Sequence, residues 1–303
     1  MVDTPVLSTG RRARVQQARA PRHRSERTEP SFGGAFQALG ELAYGGAQVS
    51  ASVIDLDSDE RVLSIDDRIV LPTASVGKIL LLIEVSARLS DQAAPALEVL
   101  DKTSKDLVGD SGLWRHLHAK SLPLADVATL VGATSDNLAT NVLLREVGLE
   151  SVRARTEQLG LLRTALLDLV RDSRGPDDAP QLSVGSTAEL AWLFAALARG
   201  QVVDALTSSR VLGWLSLNTD LSMVASAFGV DPLSHRGVDH GLQLVNKTGT
   251  DAGVRSEVGI LRGPRRGIAY SVSVQFSDRS IASRLRVLDA LRAVGFDLLE
   301  YVH

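Results

Sequence analysis

The 303-residue sequence has no cysteine. That excludes disulfides, thiolate metal sites and a cysteine nucleophile, but leaves the compartment open, because an exported protein need not carry disulfides. Aromatic residues make up only 4% of the chain, so Leu, Val and Ala must fill the core, a composition that suits helices. No apolar stretch reaches the roughly eighteen residues that a membrane span needs. No G-x-S-x-G string occurs, which disfavours the nucleophile elbow of an α/β-hydrolase. Gly77-Lys78 is not a phosphate loop either, since Pro72 stands where the first glycine belongs and Ile79 where Ser or Thr would meet magnesium. Lysine is rare: Lys78, Lys102, Lys105, Lys120 and Lys247 are five among 33 basic residues.

What is present is enough to fold. A hydrophobic content of 44% supports a sizeable core, over a length between one large domain and two small ones. The net charge of -3 is uneven. Residues 1–30 carry seven arginines against three acids, a net +4 that leaves -7 for the rest, so the body gives no sign of binding nucleic acid. This basic opening lacks an apolar core for a signal peptide despite Arg11-Arg12. Residues 1–31 therefore read as a disordered tail, and the chain as written is expected in the cytoplasm, with export through an unseen or misassigned N-terminus as the alternative. His116 and His118, and His235 and His240 around Asp239, lack a convincing ligand set and read as surface rather than zinc sites. No metal and no cofactor is expected.

Hydrophobic spacing predicts a helix over residues 32–44 and strands over 48–55 and 61–65 that form a hairpin across Asp57-Ser58-Asp59. Helical spacing then dominates from 73 to about 217, over 75–89, 124–131, 138–147, 152–159, 187–199 and 206–217. Strands return over 242–247, 256–261 and 268–276, and a helix over 281–299 closes the chain. Strands at both ends around a helical middle imply an α+β fold: an α/β/α sandwich whose antiparallel sheet is built from both termini, with an inserted all-α domain. The boundaries read as 32–72 with 235–303 for the sheet domain and 73–234 for the insertion, with a cleft between them.

Three strings carry chemistry: Ser75-Val76-Gly77-Lys78, Ser135-Asp136-Asn137 and Lys247-Thr248-Gly249-Thr250. Residues 76–89 are apolar on almost every face, which marks a buried helix. The i, i+3 spacing sets Ser75 and Lys78 on one face, with Ser75 at the positive end of the helix dipole. A buried lysine sheds its proton unless paired, so Lys78 can serve as the base that activates Ser75.

Together the strings match the S-x-x-K, S-D-N and K-T-G set of penicillin-recognising serine acyl enzymes, a set long tabulated for that superfamily. The chain resembles a class A serine β-lactamase, or a D-alanyl-D-alanine peptidase of the same superfamily, from about residue 32 to 299. The resemblance implies a β-lactamase/transpeptidase-like fold and an acyl-enzyme on Ser75. It implies that Lys78 is the base, that Ser135 and Lys247 deliver a proton to the departing nitrogen, and that Asp136 holds its loop. Asn137 would bind the substrate amide, Thr248 a carboxylate, and Gly249 would let the ligand lie against the strand edge. The amides of Ser75 and Thr250 would form the oxyanion hole, and Arg255 is a candidate second carboxylate clamp. The partner would be a small molecule, a β-lactam or a D-Ala-type peptide or ester. The family's E-x-x-L-N loop, whose glutamate positions the deacylating water, is absent. The corresponding loop reads as 166–177, where Asp168 and Asp172 are the acids available as substitutes. Deacylation is therefore expected to be slow, and a peptidase, an esterase or a non-catalytic relative stands as the alternative.

Overall fold

The computed structural model describes Met1 and residues 31–91, 95–237 and 241–303. Almost all of the expected tail, together with Asp239 and His240, lies outside these. The described elements begin with α1 (Gly33–Tyr44), then β1 (Gln48–Asp55) and β2 (Arg61–Ile65), as the spacing predicts. β3 (Leu71–Pro72) leads into a 3₁₀ turn over Ala74–Gly77 and α2 (Lys78–Ser90). β4 (Val99–Asp101) and β5 (Ser121–Pro123) precede α3 (Leu124–Thr134), α4 (Asn137–Val147) and α5 (Leu149–Gln158). β6 (Ala165–Leu166) and β7 (Ser183–Gly185) come before α6 (Thr187–Ala198) and α7 (Ala205–Leu215). The chain ends with β8 (Gln243–Asp251), β9 (Val254–Arg262), β10 (Gly267–Gln275) and α8 (Ile281–Val302).

The main sheet is antiparallel in the order β2-β1-β10-β9-β8, so strands from both ends of the chain interleave. Alternation along the strands feeds two cores, because successive side chains point to opposite faces. Val49, Ala51 and Val53 of β1 join Ile268, Tyr270 and Val272 of β10 under α1 and α8. Ile54, Val258, Ile260 and Ala269 face the other way, into a core shared with α2, α4 and α6. The result is the expected α+β sandwich.

Two details depart from the pattern. The segment 73–234 is mainly helical but also carries the β4-β5 ladder and, in β6 and β7, two of the three strands of the β3-β7-β6 ladder, strands too short for a period-two signal to register. Residues 75–89 do not form one α-helix: Ser75 sits in the 3₁₀ turn and α2 starts only at Lys78. Ala74 is left-handed at φ 48. Ser183 Oγ donates to the Ala74 carbonyl at 2.6 Å and bonds Thr73 Oγ1 at 2.8 Å, which pins the tight turn in place. Gly77 is required there, since a Cβ would fall 2.2 Å from that of Ser183.

Candidate active site

The 3₁₀ turn, the α3–α4 junction and β8 converge on one cleft. Ser75 is half-buried at its floor, whereas Lys78 one turn on is fully buried. The Lys78 ammonium donates to the Ser135 carbonyl at 2.7 Å, to Ser135 Oγ at 3.3 Å and to Asn137 Oδ1 at 2.6 Å. From the opposite wall Lys247, also fully buried, donates to the same Ser135 Oγ at 3.0 Å and to the Thr248 carbonyl at 2.7 Å. One hydroxyl thus lies between two buried amines. Neither can be fully charged without cost in so dry a place. Burial, and then the neighbouring Lys247, push the pKa of Lys78 well below its usual value, against an opposing pull from Asp136. Burial lowers Lys247 to about 8, with Asp220 pulling it back up. Both amines therefore give up a proton more readily than a lysine in water.

Ser135 reaches this position because the chain turns sharply between α3 and α4. Its backbone is left-handed, at φ 55 and ψ 34, a conformation costly for a residue with a Cβ and found where surrounding contacts enforce it. Asp136 supplies that enforcement. One carboxylate oxygen caps α4 by accepting from the Ala139 amide at 2.9 Å, and the other accepts from the Leu113 and Trp114 amides at 2.7 and 2.8 Å. Asn137 completes the junction, donating through Nδ2 to the Gly109 carbonyl at 3.0 Å.

Gly249 has a role that spacing did not reveal. A Cβ there would lie 2.1 Å from the Thr73 carbonyl oxygen and 3.1 Å from the Ser75 and Val76 amide nitrogens. The glycine lets β8 press against the turn that carries Ser75, so close approach of two protein backbones, rather than of a ligand, already demands it. The Ser75 amide belongs to the first turn of a helix, where N–H groups have no intrahelical partner, and Thr250 lines the cleft with it.

The cleft has two adjoining basins that share Ser75, Ser111 and Thr250. The smaller, about 330 Å³, also contains Ser135, Thr248 and Asp220. The larger, about 890 Å³, contains Asn137 and Arg255. Arg255 therefore lies across the ladder from Thr250, in a different basin from Thr248. Its Nη1 donates to the Asp251 and Val254 carbonyls at 3.0 and 2.7 Å.

The loop after β6 puts Val170, Arg171 and Arg174 on the larger basin. None of these is a carboxylate. Asp168 is buried and committed elsewhere: it pairs with Arg171 at 2.9 Å and Arg174 at 2.6 Å and accepts from the Leu169 amide at 2.7 Å. Against the cost of burial, these bonds hold its pKa below the usual carboxylate value. Asp172 is exposed and accepts from the Gly109 amide at 2.6 Å. Neither acid lines the basin.

His116 and His118 are exposed as expected. His235 is not the surface residue its loop suggested: it is buried, with Nδ1 on the Asp231 carbonyl at 3.0 Å. Among the described residues no group of three or more His, Cys, Asp or Glu is placed to hold a metal ion, and no helix is long and apolar enough to cross a membrane. Sequence reasoning missed Val170, Arg171, Arg174, Arg279 and Arg284 as cleft residues, because no motif contains them and only the loop path and the start of α8 bring them in. It also missed the Asn218–Asn246–Glu257 network behind β8, where Asn246 bonds Asn218 at 2.8 Å and Glu257 at 2.9 Å.

Comparison with known proteins gives the family and the fold. The sequence model of the beta-lactamase enzyme family fits residues 34–302, and the chain belongs to that family. Among solved structures, a β-lactamase from Sphaerobacter thermophilus DSM 20745 superposes with a TM-score of 0.77 at 21% identity, over 89% of this chain and 97% of that one. An ancestral class A β-lactamase gives 0.73 at 21%, over 88% and 99%. PBP-A gives 0.72 at 17%, over 88% and 96%. These likenesses establish a shared fold. No curated protein sequence matches the chain.

Proposed function

We propose that the protein is a β-lactamase-type serine hydrolase that forms an acyl-enzyme on Ser75 with β-lactams and releases it slowly. The observation that carries this reading is the hydrogen-bonded chain Lys78–Ser135–Lys247, built from two fully buried lysines with lowered pKa values. Neutral Lys78 takes the proton from Ser75 Oγ as that oxygen bonds the lactam carbonyl carbon, and the amides of Ser75 and Thr250 stabilise the oxyanion. The lactam C–N bond then breaks, and its nitrogen receives a proton through Ser135, backed by the charge of Lys247. Asn137 holds the substrate amide. Thr248 takes the ring carboxylate, Gly249 keeps β8 against the nucleophile's turn, and Arg255 binds from the larger basin. Water must then cleave the ester. The side chains that the 166–177 loop turns to the larger basin are Val170, Arg171 and Arg174, which supports slow release and keeps a second reading open, a D,D-peptidase-like enzyme acting on a peptide or ester.

Intact-protein mass spectrometry after exposure to benzylpenicillin tests the proposal. The expected result is a stoichiometric adduct on Ser75 that Ser75→Ala abolishes; an adduct on Ser135 or one that survives Ser75→Ala overturns it. Rates on a chromogenic cephalosporin and a short-chain nitrophenyl ester separate the lactamase from the esterase reading.

A further inference from the structure

The larger basin is ringed by five guanidinium groups, Arg171, Arg174, Arg255, Arg279 and Arg284, against two carboxylates, Asp110 and Asp251. Two of the five are already neutralised, since Arg171 pairs with Asp168 and Asp178 and Arg174 with Asp168. The other three form a different group. No described residue makes an ion pair or a side-chain hydrogen bond with Arg279 or Arg284, and Arg255 hydrogen-bonds only main-chain carbonyls, through Nη1, while its guanidinium lies over the Phe276 ring at 6.0 Å. Arg284 also acts on Arg255: after burial, its charge is the next cause that lowers the pKa of Arg255, while Asp220 and Asp251 offset part of that.

Their position on the fold makes the excess charge harder to explain as structure. α8 carries no acid in its first turn, where a carboxylate would complement the helix dipole. Arg284 occupies that turn instead, and Arg279 lies just before the cap residue Ser280. Asp278, next to Arg279 in the sequence, is engaged with the Ser280 amide and hydroxyl at 2.9 and 3.1 Å. Like charges at the positive end of a helix destabilise the free protein, and an anion reverses the sign of each contact.

The two basins also divide the substrate. The smaller holds Ser135, which serves the leaving group, and the larger holds Asn137, which binds the amide of the acyl group. The charged basin is thus the acyl side. Resting on the reading that Ser75 is acylated, we infer that the natural acyl donor is an acidic peptide bearing at least two carboxylates, taken by Arg255, Arg279 and Arg284. Arginine suits this task because its planar fork binds a carboxylate through two parallel hydrogen bonds.

The test compares benzylpenicillin with its α-carboxy analogue, which adds one carboxylate to the acyl side chain and leaves the ring unchanged. Rate constants for acylation are read by intact mass. The analogue is expected to react about tenfold faster at about 50 mM salt, with the advantage fading near about 500 mM. In the double variant Arg279→Gln/Arg284→Gln the ratio of the two rates should fall close to one. Equal rates in the unaltered protein, or a ratio that the double variant leaves intact, overturn the inference.

A second measurement needs no acylation. Calorimetric binding of the peptide Glu-Glu-Ala to the Ser75→Ala protein should be about tenfold tighter than that of Gln-Gln-Ala at low salt, and the double variant should remove the difference. Salt-sensitive preference for Glu-Glu-Ala with no Ser75 adduct from either lactam overturns the acylation reading and with it the acyl-donor role, and supports only recognition of an acidic peptide by the three arginines. Ser75 adducts at equal rates, with no preference between the peptides, overturn this inference alone.

Discussion

Ser135 is strained in its backbone and shared by two amines, which makes the difference between those amines the decisive chemical fact at the scale of single residues. Lys78 has no exposed surface, so its charged form has lost water and gains only part of that loss back from the Ser135 carbonyl and Asn137 Oδ1. Replacement by arginine keeps the charge but removes the ability to give up a proton. Lys78→Arg is expected to lower the acylation rate by about 10³-fold, within the range of a lost general base. Retention of most of the rate in a stopped-flow burst removes Lys78 from the role of base.

The same pair sets the pH profile. In the proposed mechanism acylation needs Lys78 neutral, so its rate is expected to rise with pH through the lowered pKa of that residue. It also needs the Lys247 proton, so it falls again as pH passes about 8, the value that burial gives Lys247. A bell-shaped dependence of the acylation rate constant is expected, with its alkaline limb near that value. A profile that keeps rising beyond pH 9.5, to about 10, contradicts a charged Lys247 in the proton path.

At the scale of elements, β8 depends on what lies behind it. Thr248 pairs across the ladder with Glu257 of β9. The fully buried Glu257 carboxylate accepts from Tyr270 at 2.7 Å, Asn246 at 2.9 Å and the Ala225 amide at 3.4 Å. Burial raises its pKa from 4.5 to about 7 despite these bonds. A raised acid pKa means the folded state holds the proton more tightly than the unfolded chain. The stabilising contribution is therefore present below about 4.5 and is lost as pH rises towards 7, by at most about 3 kcal/mol. Glu257→Gln cannot titrate. Thermal melts across this window should show the variant without the unaltered protein's fall in stability from pH 4.5 to 7, and parallel pH dependences contradict a raised Glu257.

At the scale of the whole molecule, acylation and release draw on different parts. Ser75, Lys78 and the amides come from the turn, α2 and β8, whereas a deacylating water would have to be held by the loop after β6. That loop offers Val170 to the cleft and ties Asp168 to two arginines. Benzylpenicillin should therefore give a fast stoichiometric burst followed by slow turnover. Val170→Glu places a carboxylate at the basin and is expected to raise the deacylation rate by about tenfold, less than a fully positioned base supplies. An unchanged lifetime of the acyl-enzyme in mass spectra after rapid dilution assigns deacylation to another group.

The sequence by itself determined the parts that local chemistry writes into a few residues. The hydrophobic period separates strands 48–55 and 61–65 from the helices because a side chain's face depends on its neighbours two or four positions away. The three strings single out Ser75, Lys78, Ser135 and Lys247 as candidates because few backgrounds place two of five lysines in such company. Tertiary structure alone decided what those residues touch. The Lys78 ammonium bonds Ser135 and Asn137 because the α3–α4 junction folds over α2, and Gly249 is needed because β8 meets Thr73 across 176 positions of chain. The arginines of the larger basin come from the loop after β6, from β9 and from the start of α8. No period or motif links them, since their meeting depends on how the sheet closes between the two ends of the chain.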